Sequence, residues 1–213
     1  MTPRQVRERR RRGARILAAL KRTLSPPKIA LAHANNLELL VAVILSAQCT
    51  DKKVNEVTNA LFRKYRTLDD YLRVPQEELE RDIRPTGFFR MKAKHIRGSV
   101  RALKERFGGR LPRTMDEMLT LPGVARKTAN VVLGNAYGVV EGIAVDTHVR
   151  RLSRLFGLTD ETDPVKIERD LMAIFPKKEW FPLTYYFIDY GRTHCSARKH
   201  DHAACPLGKF VRA

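Results

Sequence analysis

Acidic residues and cysteines are scarce in this chain of 213 residues. Asp and Glu total 23 against 41 Lys and Arg, a net charge of +18, and an excess of that size points to a polyanionic partner. Three cysteines, Cys49, Cys195 and Cys205, are too few and too unevenly spaced for a disulfide framework. A reducing compartment is expected. Long hydrophobic runs are missing as well: the longest, Leu37 to Ala47, is far shorter than a bilayer span and contains Glu38. No secretory h-region follows the basic start, so export is not expected. With 43% hydrophobic residues the chain can still bury a core, which excludes disorder of the whole.

Basic side chains crowd the start, where residues 1 to 22 hold nine of them and a single acid, Glu8. Residues 1–13 read as a disordered basic arm that binds phosphates without sequence preference; an organelle transit peptide is also Arg-rich. Sustained period-2 alternation is absent, and past the arm the apolar spacing is helical nearly everywhere, so the fold class is all-α. Ile16, Leu17, Leu20 and Leu24 form one stripe that Pro26-Pro27 stops, and Leu37 to Ala47 reads as a buried central helix. Thr50 or Asp51 caps a third helix, and a long basic one runs from about Phe89 to Phe107 before Gly108-Gly109. Later helices are expected near Thr147 to Phe156, Pro164 to Ile174 and Trp180 to Asp189.

Leu121-Pro122-Gly123-Val124-Ala125-Arg126-Lys127 reads as a helix-hairpin-helix, with a tight glycine turn and a second helix starting near Val124. Backbone N–H groups at that helix start suit a phosphate. Lys127 lies in its first turns, where the helix dipole disfavours a further positive charge and favours the neutral, nucleophilic amine. Nineteen residues on, Ile143-Ala144-Val145 delivers Asp146 to the start of another helix. An amine and a carboxylate suit removal of a base from a sugar: the carboxylate supports an oxocarbenium-like state and the amine attacks the anomeric carbon. On the residues alone, Lys127 could equally be a solvated lysine and Asp146 a plain N-cap.

Leu121 to Asn130, Ala144-Val145-Asp146-Thr147-His148-Val149-Arg150-Arg151 and Leu45-Ser46-Ala47-Gln48-Cys49-Thr50-Asp51 together resemble the endonuclease III family, bifunctional DNA glycosylases of the helix-hairpin-helix superfamily. The resemblance covers about residues 14 to 205. It implies a two-lobed helical fold with a central cleft: a six-helix barrel domain over 37–145 containing the hairpin, and a terminal-helices domain from 14–36 and 146–213. It also implies base-excision repair of oxidised or ring-broken pyrimidines in double-stranded DNA. A monomer in the cytoplasm, at a bacterial nucleoid, is expected, with nucleus or organelle as the alternatives. Lys127 matches the family's Schiff-base nucleophile and Asp146 its essential carboxylate. Gln48 matches the residue that fills the hole left by base flipping, and Phe88 an apolar wedge. Pro122, Gly123, Val124, Ala125, Arg126, His148, Lys92 and Arg150 are expected at the DNA, with Lys94 and Arg151 as further phosphate contacts.

One part of the family pattern breaks. The resemblance calls for four cysteines around a [4Fe-4S] cluster, spaced Cys-x6-Cys-x2-Cys-x5-Cys, whereas this chain has Cys195, His202, Cys205 and Val211 at those places. The expectation is that no metal is bound and that Cys195, His202 and Cys205 are vestigial. The rival is zinc held by a mixed set from His194, Cys195, His200, His202 and Cys205. Two alternatives to the enzyme are a helix-hairpin-helix DNA-binding protein without catalysis and a sister glycosylase for another lesion such as oxidised purines. A pure binder has no need for both Lys127 and Asp146.

Overall fold

The computed structural model describes residues 1–212 and is helical, with no strand among them. In chain order the α-helices are α1 (Pro3–Thr23), α2 (Asn36–Leu45), α3 (Asp51–Lys64), α4 (Leu68–Arg73), α5 (Gln76–Ile83), α6 (Phe89–Arg106), α7 (Met115–Leu119), α8 (Arg126–Tyr137), α9 (Thr147–Leu155), α10 (Pro164–Ile174) and α11 (Trp180–Thr193). They form two compact units, Met1–Lys28 with Val140–Ala213, and Ile29–Val139. Both boundaries fall a few residues earlier than the sequence suggested. Ile143 and Val145, which lead into Asp146, are buried with Val149 and Leu152 in the core of the terminal helices, while Leu31 joins the core of the inner unit.

The inner unit, α2 to α8, is built around α2. Every residue from Leu39 to Leu45 is buried, so this helix is apolar on all sides and other helices must surround it. Asn35 starts it by accepting the Glu38 N–H, and the Glu38 carboxylate answers with the Ala34 N–H at 2.6 Å. Thr50 caps α3, and a Thr67–Asp70 capping box starts α4. The long helix α6 packs on α2, α4 and α5. Its Arg97 guanidinium donates to the carbonyls of Tyr71 (3.1 Å), Leu72 (3.3 Å) and Val74, which satisfies the acceptors that α4 leaves open at its end. Gly109 donates back to Leu103 at 2.9 Å and terminates α6 where the glycine pair predicted.

The terminal unit brings α1 from the start of the chain against α10 and α11, around Ile16, Leu20, Phe156, Phe187 and Tyr190. Here the structure corrects the expectation of a disordered arm over residues 1–13. Helix α1 begins at Pro3, with Thr2 and Gln5 in a capping box. Three of the four arginines that looked like a solvated run, Arg9, Arg10 and Arg12, are fastened to backbone carbonyls elsewhere in the unit. Arg12 donates to Phe156 O at 2.5 Å and Phe210 O at 2.6 Å, Arg10 to Ala173 O at 2.8 Å, and Arg9 to Leu158 O at 3.3 Å with an ion pair to Asp160. Phe156 ends α9 and Ala173 lies in the last turn of α10. Orphan carbonyls at a helix C-terminus, carrying partial negative charge, attract such cations.

Arg12 and Arg11 make this reading testable side by side. Arg12 is half-buried with two carbonyl partners, whereas Arg11 is exposed. In urea denaturation, Arg12→Ala is expected to cost about 1–3 kcal/mol and Arg11→Ala to stay within about 0.5 kcal/mol. Equal, negligible effects would mean that the arm is not docked.

Candidate active site and metal loop

Leu121–Ala125 joins α7 to α8 and is seated on α6. Gly123 has φ 79°, a left-handed conformation that glycine adopts without penalty. A Cβ there would lie 2.6 Å from the His95 ring of α6, so the position is closed to any side chain. Val124 donates to Leu121 O at 3.1 Å, and both side chains are buried beneath the turn. Ser99 of α6 donates its hydroxyl to Pro122 O at 2.7 Å, and Gly98 admits the Pro122 ring, which would stand 3.0 Å from a Cβ.

Helix α8 starts at Arg126 rather than Val124, because Val124 is used in the turn and Ala125 is its extended N-cap, φ −87°. Alanine has no capping oxygen, so no side chain caps the first turn of α8. The helix start therefore offers its N–H groups and partial positive charge outward. Pro122, Gly123 and Ala125 are exposed beside it. Arg126 is half-buried, and Lys127, the second helical residue, is exposed.

Gln48 and Phe88 share a backbone property that no sequence pattern announced. They are the two non-glycine residues with positive φ among the described residues, at 52° and 47°. Both side chains are exposed, Phe88 at 65%. A bulky residue in this region costs roughly 1–2 kcal/mol, and an exposed ring recovers little by burial. Such local strain is typical of functional sites.

Lys92, expected at a phosphate, is instead 3% exposed, and its ammonium donates to Leu45 O at 2.8 Å and Thr86 O at 2.7 Å. Burial pushes its pKa down. Charge alone does not reveal whether a lysine is fastened to carbonyls. Leu45 precedes the Gln48 loop and Thr86 precedes Phe88, so Lys92 ties together the two strained segments. Lys94, by contrast, is exposed.

In the terminal unit, Asp146 is the N-cap of α9 and accepts the Val149 N–H at 2.8 Å. The segment before it is held by Thr184 of α11, whose hydroxyl donates to Ala144 O at 3.1 Å. His148 is half-buried against Gly191 of α11, where a Cβ would meet its Nδ1 at 2.4 Å. Arg150 is exposed. Arg151 does not face outward as expected, because its guanidinium donates to Cys195 O at 2.5 Å and lies 3.6 Å from Cys195 Sγ.

Cys195 opens the loop in which the structure overturns the expectation of no metal and vestigial thiols. Cys195, His200, His202 and Cys205 each offer one ligand atom, and all four atoms lie within 4.8 Å of one another. His194, included in the sequence's candidate set, is outside this group; its carbonyl accepts from Cys205 Sγ at 3.4 Å. His200 stands at none of the family's cluster positions, and its place in the set follows only from the fold of the loop.

The strain at Gln48 and Phe88 yields an expected outcome. Gln48→Gly and Phe88→Gly relieve the positive-φ penalty and are expected to leave stability unchanged or raise it by up to about 1 kcal/mol, while reducing turnover on a duplex that requires base flipping. A loss of stability with unchanged turnover would assign both residues to packing.

Residues 41–177 match the family described as HhH-GPD superfamily base excision DNA repair protein. The chain is 47% identical over 204 residues to endonuclease III of Synechocystis sp., covering 96% of this chain and 93% of that protein. Among solved structures it is similar to a non-covalent endonuclease III–DNA complex, with TM-score 0.91, 44% identity and 95% coverage of each chain. It is also similar to a trapped endonuclease III–DNA covalent intermediate, an estranged-adenine complex, with TM-score 0.89, 44% identity and coverage of 100% of this chain and 96% of that one. The chain thus belongs to the endonuclease III family of helix-hairpin-helix base-excision repair proteins.

Proposed function

We propose that this chain removes oxidised pyrimidines from double-stranded DNA and cuts the strand at the resulting abasic site, with Lys127 as nucleophile and Asp146 as the supporting carboxylate. The activity is that of a base-excision repair glycosylase with lyase activity. The observation carrying the assignment is the exposed amine at the second position of α8, beside a helix start that no side chain caps. A DNA phosphate at Gly123 and the first N–H groups of α8 fixes the backbone next to that amine. No helix among the described residues is long and apolar enough to cross a membrane. The bacterial source of relatives such as those of Synechocystis sp. and Bacillus subtilis supports a reading in which the chain works on the nucleoid of a bacterial cytoplasm.

The steps follow from the chemistry of an amine and a carboxylate. A damaged nucleotide leaves the stack, and Gln48 and Phe88 occupy or wedge the gap, offsetting part of the few kcal/mol that unstacking costs. As the bond from C1′ to the base breaks, the Asp146 carboxylate stabilises the positive charge that develops on the sugar. The Lys127 amine attacks C1′, the base departs with a proton, and ring opening gives an imine. The imine acidifies the proton on C2′. Its removal expels the 3′ phosphate by β-elimination, and water then hydrolyses the imine to regenerate the amine. Arg126, His148 and Arg150 are placed at the DNA backbone in this reading.

Incubation with a duplex carrying one thymine glycol, with and without borohydride, tests the assignment. The wild-type chain is expected to cut the strand and to form a reduced covalent adduct. Lys127→Ala should lose the adduct while retaining DNA binding. Asp146→Asn, which preserves the N-cap, should slow base release by about 10²-fold or more with an unchanged melting temperature. An adduct at wild-type yield from Lys127→Ala would place the nucleophile elsewhere.

A further inference from the structure

We propose that Cys195, His200, His202 and Cys205 form a closed, tetrahedral site for a single zinc-class divalent ion that pins the C-terminal loop to the terminal core. The four-thiolate cluster implied by the family pattern does not fit this donor set. Two of the four ligands are imidazoles, and the last cluster position is Val211. A four-iron cluster also gives each thiolate its own iron and so keeps the ligands far apart, whereas here all four ligand atoms fall within 4.8 Å.

Two of the six ligand pairs already stand at the spacing of a single ion's ligands, and the rest lie within 4.8 Å. With metal–sulfur bonds of about 2.3 Å and metal–nitrogen bonds of about 2.0–2.1 Å, the edges of a tetrahedron are about 3.3–3.8 Å. Cys205 Sγ lies 3.3 Å from His200 Nε2, and Cys195 Sγ lies 3.7 Å from His202 Nδ1. The surroundings already orient the ligands. His200 Nδ1 is 2.7 Å from Arg198 O, an acceptor only, so Nδ1 carries the proton and the Nε2 lone pair faces the thiols. The Arg151 guanidinium, 3.6 Å from Cys195 Sγ and donating to Cys195 O at 2.5 Å, holds that end of the loop in place.

Backbone packing keeps the loop this tight. Asp201 accepts the Ala203 N–H at 2.9 Å and starts the 3-10 turn His202–Ala204. Gly208 donates to Cys205 O at 2.8 Å, and a Cβ at Gly208 would lie 2.1 Å from His202 O. Both cysteines are buried in the terminal core with Leu207 and Phe210. Two thiolates neutralise a divalent ion, and four protein ligands leave no coordination position open. The site is therefore structural, and no step of the DNA chemistry passes through it.

The test uses the full chain purified from medium containing both iron and zinc. About one zinc per chain by elemental analysis, without stoichiometric iron or acid-labile sulfide, is expected. Replacement by Co²⁺ should give the visible bands of a tetrahedral ion and a thiolate charge-transfer band. Chelation should lower the melting temperature by about 5 °C or more, and added zinc should restore it. His200→Gln and His202→Gln, at half-buried positions that should still fold, are expected to weaken zinc binding at least about tenfold in a competition with a chromogenic chelator. Stoichiometric iron and sulfide would overturn the proposal in favour of a cluster. Absence of metal, with a melting temperature indifferent to chelator and to added zinc, would overturn it in favour of packing alone. Unchanged zinc affinity in both histidine variants would overturn the ligand set.

Discussion

Close approach of the hairpin backbone to one face of α6 is the constraint on which the inner unit depends. Gly123 leaves no room for a Cβ above His95, Gly98 admits the Pro122 ring, and Ser99 binds the Pro122 carbonyl. These contacts fix where α8 begins and hence where Lys127 emerges. One turn earlier on the same helix, Lys92 reaches Leu45 O and Thr86 O. A single helix thus sets the hairpin, the Gln48 segment and the Phe88 segment against one another. An ammonium held by two carbonyls is well suited to this task because its donors are directional and the buried acceptors would otherwise lack a partner.

The basic excess serves two ends that composition alone merges. Part of it lies exposed, at Arg11, Lys94, Lys127 and Arg150, where it can meet phosphates. Another part is spent internally: Arg9, Arg10 and Arg12 on carbonyls around the ends of α9 and α10, Arg97 on the end of α4, and Arg151 on the Cys195 loop. Guanidinium groups suit that work because several N–H donors in a fixed plane can serve more than one carbonyl. Net charge therefore overstates the cationic surface presented to DNA.

Legibility in the sequence followed the range of the interaction. Caps and stops act over three or four residues, and Thr50, Gly108 and Gly109 carry them where they stand. The hairpin was readable from Pro122 and Gly123 for the same reason. Misreadings arose where a distant partner decides the outcome. Arg9, Arg10 and Arg12 looked solvated because their acceptors lie more than 140 residues away, and Lys92 looked like a phosphate contact because its acceptors belong to other elements.

Sequence by itself determined the helical class, the order of the elements, the glycine turn that precedes α8 and the placing of Lys127 and Asp146 at the starts of α8 and α9. These follow from apolar period, capping chemistry and residue type, all of which are local. Tertiary structure alone decided which cations are buried, that Gln48 and Phe88 hold positive φ, and that His200 joins Cys195, His202 and Cys205. Burial, backbone strain and ligand convergence depend on what the rest of the chain places against a residue, and a one-dimensional pattern holds no record of that.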